Sequence, residues 1–157
     1  MDIISYHTKL SKDRHNILVK EKSVSYDEEV NFDTPSKIVQ MMNTLFDMEN
    51  RAEEYLYQIA FDSKMKILGV FEVTHGLVNA TLASPREMMI RNILCGATGF
   101  VIVHNHPSGE ATASMDDITL TKRVSEAGKM MGILLNDSII IGNNRYFSFH
   151  EQNMIDY

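Results

Sequence analysis

The stretch Gly99–Asp117, GFVIVHNHPSGEATASMDD, decides how this chain is read. Gly99 to Val103 is a short apolar run, the pattern of a buried strand. His104-Asn105-His106 closes it. Residues two apart in a strand share a face, so the two imidazoles stand side by side. Pro107 has no N–H to donate to a ladder, and Ser108-Gly109 lets the chain bend away. Ser114 then opens a helix with Asp117 in its first turn, from where the carboxylate can swing back over the strand end. Two imidazoles and one carboxylate are three N/O ligands. A tetrahedral zinc so held keeps one position open for water, the pattern of a catalytic rather than a closed structural site. Zinc brings the pKa of that water toward ~7. A plainer reading uses the same residues: Ser114-x-x-Asp117 is also a capping box, in which both side chains satisfy helix N–H groups.

A hydrolytic zinc site also needs a proton carrier. Glu72 lies in ILGVFEVTHG (Ile67–Gly76) between Phe71 and Val73. A carboxylate there is expensive to bury without a task or a partner, although on an edge strand it could face solvent. Ser114 could donate to the oxyanion of a tetrahedral intermediate. His75 and His150 show no ligand spacing and read as surface or core histidines. Cys95, late in a helix, reads as a small core residue.

Working outward, Thr34-Pro35 reads as an N-cap followed by proline at the first helical position. Ile38, Met41, Met42 and Leu45 recur at helical spacing, which predicts a helix over about 35–48. Glu54 to Phe61 and Met65 to Thr74 read as strands joined at Asp62-Ser63-Lys64. Ser84-Pro85-Arg86-Glu87 starts a helix that runs to about Cys95, with Glu87 three after the cap and Gly96 past the end. The helix from Ser114 has an apolar face of Leu120, Val124, Ala127 and Met131 and stops at Gly132. Ile133 to Ile141 and Arg145 to Phe149 form a closing hairpin around Gly142-Asn143-Asn144. This order predicts a mixed α/β (α+β) domain over 34–150, with helices packed on one sheet. Residues 1–33 read as an appendage of uncertain order with a short strand at Asn16 to Val19, and 151–157 as a tail.

Composition narrows the function. The chain has 157 residues, 44% of them hydrophobic, and a net charge of −6. An acidic surface does not attract phosphate backbones by bulk charge, so nucleic acid is not favoured as a partner. One cysteine rules out a cysteine zinc finger or an internal disulfide, so a metal site must use His, Asp or Glu. No apolar run approaches the ~18 residues of a membrane span, and the first residues lack the apolar core of a signal peptide, so the expected compartment is the cytoplasm.

Glu72, His104, His106, Ser114 and Asp117 fit the pattern Glu…His-x-His-x7-Ser-x2-Asp. This resembles the JAMM (MPN, or JAB) metalloprotease motif. HNHPSG at 104–109, SPRE at 84–87, DITLTKR after Asp117 and the closing IIIGNNRYFSF resemble the RadC-like branch of that superfamily, over roughly residues 35–150. The resemblance implies a curved mixed sheet with helices on it, the JAB/MPN (cytidine-deaminase-like) architecture. It implies Zn2+ on His104, His106 and Asp117, Glu72 as general base, Ser114 at the oxyanion, and hydrolysis of a peptide or isopeptide bond in a protein or peptide substrate. Manganese or iron would accept the same ligands.

Two departures stand out. Ala111-Thr112-Ala113-Ser114 replaces the family's common PTPS, which should loosen the loop without removing a ligand. Residues 1–33 are too short for the helix-hairpin-helix region of long RadC proteins, which argues against an inherited DNA-repair role. The rival reading is a partner- or DNA-binding module with a structural or vestigial metal site. A nucleobase deaminase would need Pro-Cys-x-x-Cys, which one cysteine excludes.

Overall fold

The computed structural model describes residues 1–26, 32–76 and 83–155. The outer parts of the expected appendage and tail, 27–31 and 156–157, lie outside the described residues. The elements run β1 (Asp2–Leu10), β2 (Asn16–Ser25), α1 (Pro35–Phe46), β3 (Glu54–Phe61), β4 (Ile67–Gly76), α2 (Pro85–Cys95), β5 (Gly99–Asn105), α3 (Met115–Met131), β6 (Leu134–Gly142) and β7 (Arg145–Ser148). The strands form one mixed sheet in the order β2-β1-β4-β3-β5-β6-β7. β5 runs parallel to β6 and antiparallel to β3, and β3 is antiparallel to β4. Among the described residues no helix is long and apolar enough to cross a membrane.

The sheet has two covered faces. Phe100 and Ile102 of β5 join Leu56 and Phe71 in a cluster with Met88 and Met89 of α2 and Leu120 and Val124 of α3. Val101 and Val103 point the other way, into a cluster with Ile38, Met41 and Met42 of α1. This is why Gly99–Val103 is uninterrupted apolar sequence: β5 is buried along its whole length, and each large side chain so buried contributes about 1.5–3 kcal/mol.

Three local features differ from the sequence expectation. Residues 2–25, read as an appendage with a strand at 16–19, form the long hairpin β1–β2 on the sheet edge. β1 meets β4 in parallel at Ser5↔Val70, and Tyr6 stacks on Phe71. The alternation of these strands is diluted because β2 is largely exposed, so they carry little apolar signal. α1 stops at Phe46 rather than at 48, because Asp47 takes a left-handed conformation and Met48–Asn50 continues as a 3-10 turn. The capping box expected at Ser84 does not form; Glu87 pairs with Arg86 instead.

Candidate metal centre

Alternation along β5 fixes the direction of the histidines. Phe100 and Ile102 face α2 and α3, so His104 does too. It lies opposite Leu56 of β3 and Ile140 of β6. His106 extends the pairing one step past the strand, its N–H donating to the Ile141 carbonyl at 2.9 Å. The chain then turns. Gly109 N–H donates to the His106 carbonyl, with Gly109 at φ 81, a conformation that glycine adopts without penalty. The loop is pinned to the β6–β7 turn, where Asn143 N–H donates to the Gly109 carbonyl at 2.9 Å. That approach requires Gly142, since a Cβ there would lie 2.4 Å from the Gly109 oxygen. These ties hold a loop that lacks the two family prolines.

Asp117 arrives from the first turn of α3. The box at Ser114 is complete: Ser114 Oγ accepts from the Asp117 N–H, and Asp117 Oδ2 accepts from the Ser114 N–H at 2.8 Å and its hydroxyl at 2.7 Å. Oδ1 stays outside the box, 3.0 Å from His104 Nε2. His106 Nε2 lies 3.5 Å from Oδ2 and 3.2 Å from His104 Nε2. The cap and the ligand readings are therefore compatible, since one carboxylate serves both arrangements.

The donor set fits a divalent ion. All three ligand atoms lie within 4.8 Å of one another. His104 Nε2 lies 3.0 Å from Asp117 Oδ1 and 3.2 Å from His106 Nε2, near the ~3.3 Å edge of a tetrahedron with ~2.05 Å metal–nitrogen distances. His106 Nδ1 lies 2.8 Å from the Glu110 carbonyl. Donation there leaves the Nε2 lone pair facing inward, the outer contact usual for a ligating histidine. His104 and Asp117 are 1% and 4% exposed.

In this arrangement both histidines pair with the Asp117 carboxylate. Burial works against the Asp117 charge, but hydrogen bonds from His104 and His106, the His104 charge and the Ser114 hydroxyl outweigh it. They hold the carboxyl well below the usual range. His106 is shifted upward, chiefly by its hydrogen bond with Asp117. Burial opposes the shift, while the Glu110 carbonyl and the charges of Asp117 and Glu54 add to it.

The expected base Glu72 is not brought into this group; the β3–β4 register places it on the other face of the sheet. Leu56 pairs with Thr74, but Tyr57 pairs with Glu72, so one residue, Val73, bulges out of register. A one-residue slip exchanges faces. Without the bulge Glu72 would share the face of Leu56 and His104. With it, Glu72 shares the face of Tyr57, toward α1. Its side chain is 41% exposed and meets His75 Nδ1 at 2.8 Å, and it accepts from the Tyr57 hydroxyl at 3.2 Å. Burial and the Glu72 charge push that phenol upward, so it stays a neutral donor.

A carboxylate that strand alternation places on the histidine face is Glu54, which the sequence did not single out. It stands two residues before Leu56 at the head of β3, hence on the same face. It is half-buried, and its charge acts on His106. Nothing in the sequence distinguishes it from Glu53; the β3–β5 register does. Ser114 is in place, but its one hydroxyl hydrogen is committed to Asp117.

Comparison with known proteins places the chain in a family. A family model described as RadC-like JAB domain matches residues 32–154. A UPF0758 protein of Clostridium perfringens is 38% identical over 138 residues, 88% of this chain and 60% of the relative. One from Clostridium botulinum is 35% identical, covering 83% of this chain and 56% of the relative. One from Pelobacter propionicus is 36% identical, covering 70% and 48%. The chain thus spans about half to three fifths of the length of the curated relatives it matches. With the model match across most of its length, the chain belongs to the RadC-like JAB domain family.

Proposed function

We propose that this domain is a JAMM-type, zinc-dependent hydrolase that cleaves an amide bond, peptide or isopeptide, in a protein or peptide substrate. The observation that carries the reading is the convergence of His104 Nε2, His106 Nε2 and the Asp117 carboxylate, with His104 and Asp117 buried and His106 half-buried. His104, His106 and Asp117 would hold the ion. The ion supplies Lewis acidity, which makes a water nucleophilic near neutral pH. Glu54 takes the role of base: it accepts the proton of the attacking water and returns it to the leaving amine. Supporting this is the face of β3 it occupies, shared with Leu56 opposite His104. Ser114 orients Asp117 through Oδ2 and meets an oxyanion only if its hydroxyl rotates away.

The test is the metal content of the purified protein by elemental mass spectrometry, beside Asp117→Ala, followed by peptide hydrolysis with the zinc-loaded protein. About one zinc per chain, lost in Asp117→Ala, with hydrolysis that depends on His104, supports the reading. No metal after zinc loading overturns it and leaves a partner-binding module as the better account.

A further inference from the structure

Between the two histidines sits Asn105, 1% exposed, on the strand face opposite theirs. It cannot touch the substrate side of the site, yet all of its side-chain polar groups are used. Oδ1 accepts from the Tyr55 N–H at 2.7 Å. Nδ2 donates to the Glu53 carbonyl at 3.0 Å and reaches the Arg51 carbonyl at 3.5 Å. The two stronger contacts fall on the residues immediately before and after Glu54.

The register explains why a side chain does this. β3 and β5 pair through Leu56↔His104 and no further. Past that pair β5 bends with His106 toward β6, to the Ile141 carbonyl. The backbone at 53–55, around the start of β3, would lose its β5 partner there, and a partly buried N–H left unpaired is costly. The Asn105 amide replaces the missing ladder rungs with one acceptor and one donor.

We infer that Asn105 is a positioning residue for Glu54: it clamps the backbone on both sides of that carboxylate and so sets its place relative to the ion held by His104 and His106. The inference rests on the proposed role of Glu54. It also separates the tasks of the His-Asn-His triplet. The outer residues hold the ion, and the middle one ties the strand that carries them to the strand that carries the base.

The experiment loads the full chain with cobalt(II). It reads two quantities by NMR, the exchange rate of the Tyr55 amide and the paramagnetic shifts of the Glu54 and Tyr55 amides. Asn105→Ala is compared with wild type, and Asn105→Leu, which keeps the volume, serves if the alanine variant does not fold. The expected result is cobalt still bound, Tyr55 exchange about tenfold faster, the worth of one hydrogen bond, and altered paramagnetic shifts at 54 and 55 while those of α3 stay put. Unchanged exchange and shifts overturn the clamp. Loss of cobalt, or shifts altered equally in α3, overturns it in favour of a general structural role. Failure of the wild type itself to bind cobalt overturns the hydrolase reading and this inference with it, an outcome distinct from any failure of the variants.

Discussion

Ser114 and Asp117 close a capping box through Oδ2, and this leaves Oδ1 to meet His104 Nε2 at 3.0 Å. The helix start thereby aims the carboxylate. Ser114→Ala should cost about 1 kcal/mol of stability in the metal-free protein, the worth of a cap, and weaken zinc binding about 10- to 100-fold by freeing Asp117. Ser84→Ala is the control, since that cap residue makes no side-chain bond. Urea unfolding and zinc titration check both. Equal losses in the two variants would contradict the account.

Glu54 and Glu72 occupy opposite faces of neighbouring strands, and their amide variants should separate. Glu54→Gln should lower kcat on any substrate found by about 100-fold or more. Glu72→Gln should leave kcat within a few fold. Zinc content should be unchanged in both, measured on the same preparations. A large kcat loss in Glu72→Gln alone would restore Glu72 as the base.

Gly142 is where the β6–β7 turn touches the loop that follows β5. A methyl group there meets the Gly109 oxygen at 2.4 Å and the Ala111 nitrogen at 3.0 Å, both backbone atoms that cannot swing aside. Gly142→Ala should destabilise the fold by about 1–3 kcal/mol and, by moving His106, reduce zinc affinity. Thermal unfolding with and without zinc measures the two effects. A variant with normal zinc affinity would show that the loop is not seated by this contact.

Asp137 is buried, and its carboxylate accepts from the Ser148 hydroxyl and the backbone N–H groups of Ser138 and His150. Burial raises its pKa, and these hydrogen bonds only partly offset the shift. The folded state therefore binds this proton more tightly than the unfolded chain. Stability should fall as pH rises from the ordinary carboxylate pKa through the raised one. Asp137→Asn carries no such charge. Its stability relative to wild type should rise with pH from about pH 4 upward and level off above the raised pKa of Asp137. Urea unfolding across that range checks it, and a constant difference would contradict the assignment.

Most elements were legible in the sequence because each has a local cause. Pro35, Pro85 and Ser114 start helices, Gly96 and Gly132 end them in the left-handed conformation, and the apolar run at 99–103 forms a strand covered on both faces. The β1–β2 hairpin was not legible, because an edge pair with an exposed strand has no sharp apolar period.

The site divides along the same line. The sequence alone determined His104, His106, Ser114 and Asp117 as one group: strand alternation and the first turn of a helix are short-range geometry, set within 14 residues of chain. The tertiary structure alone decided which glutamate shares the histidine face. That choice hangs on a one-residue bulge at Val73 and on the register of β3 against β5. Side-chain direction reverses with every residue of slip, and pairing between distant strands is fixed by packing rather than by any local signal. The bulge places Glu72 on the other face, and the register, with Asn105 spanning Glu53 and Tyr55, puts Glu54 on the face shared by Leu56 and His104.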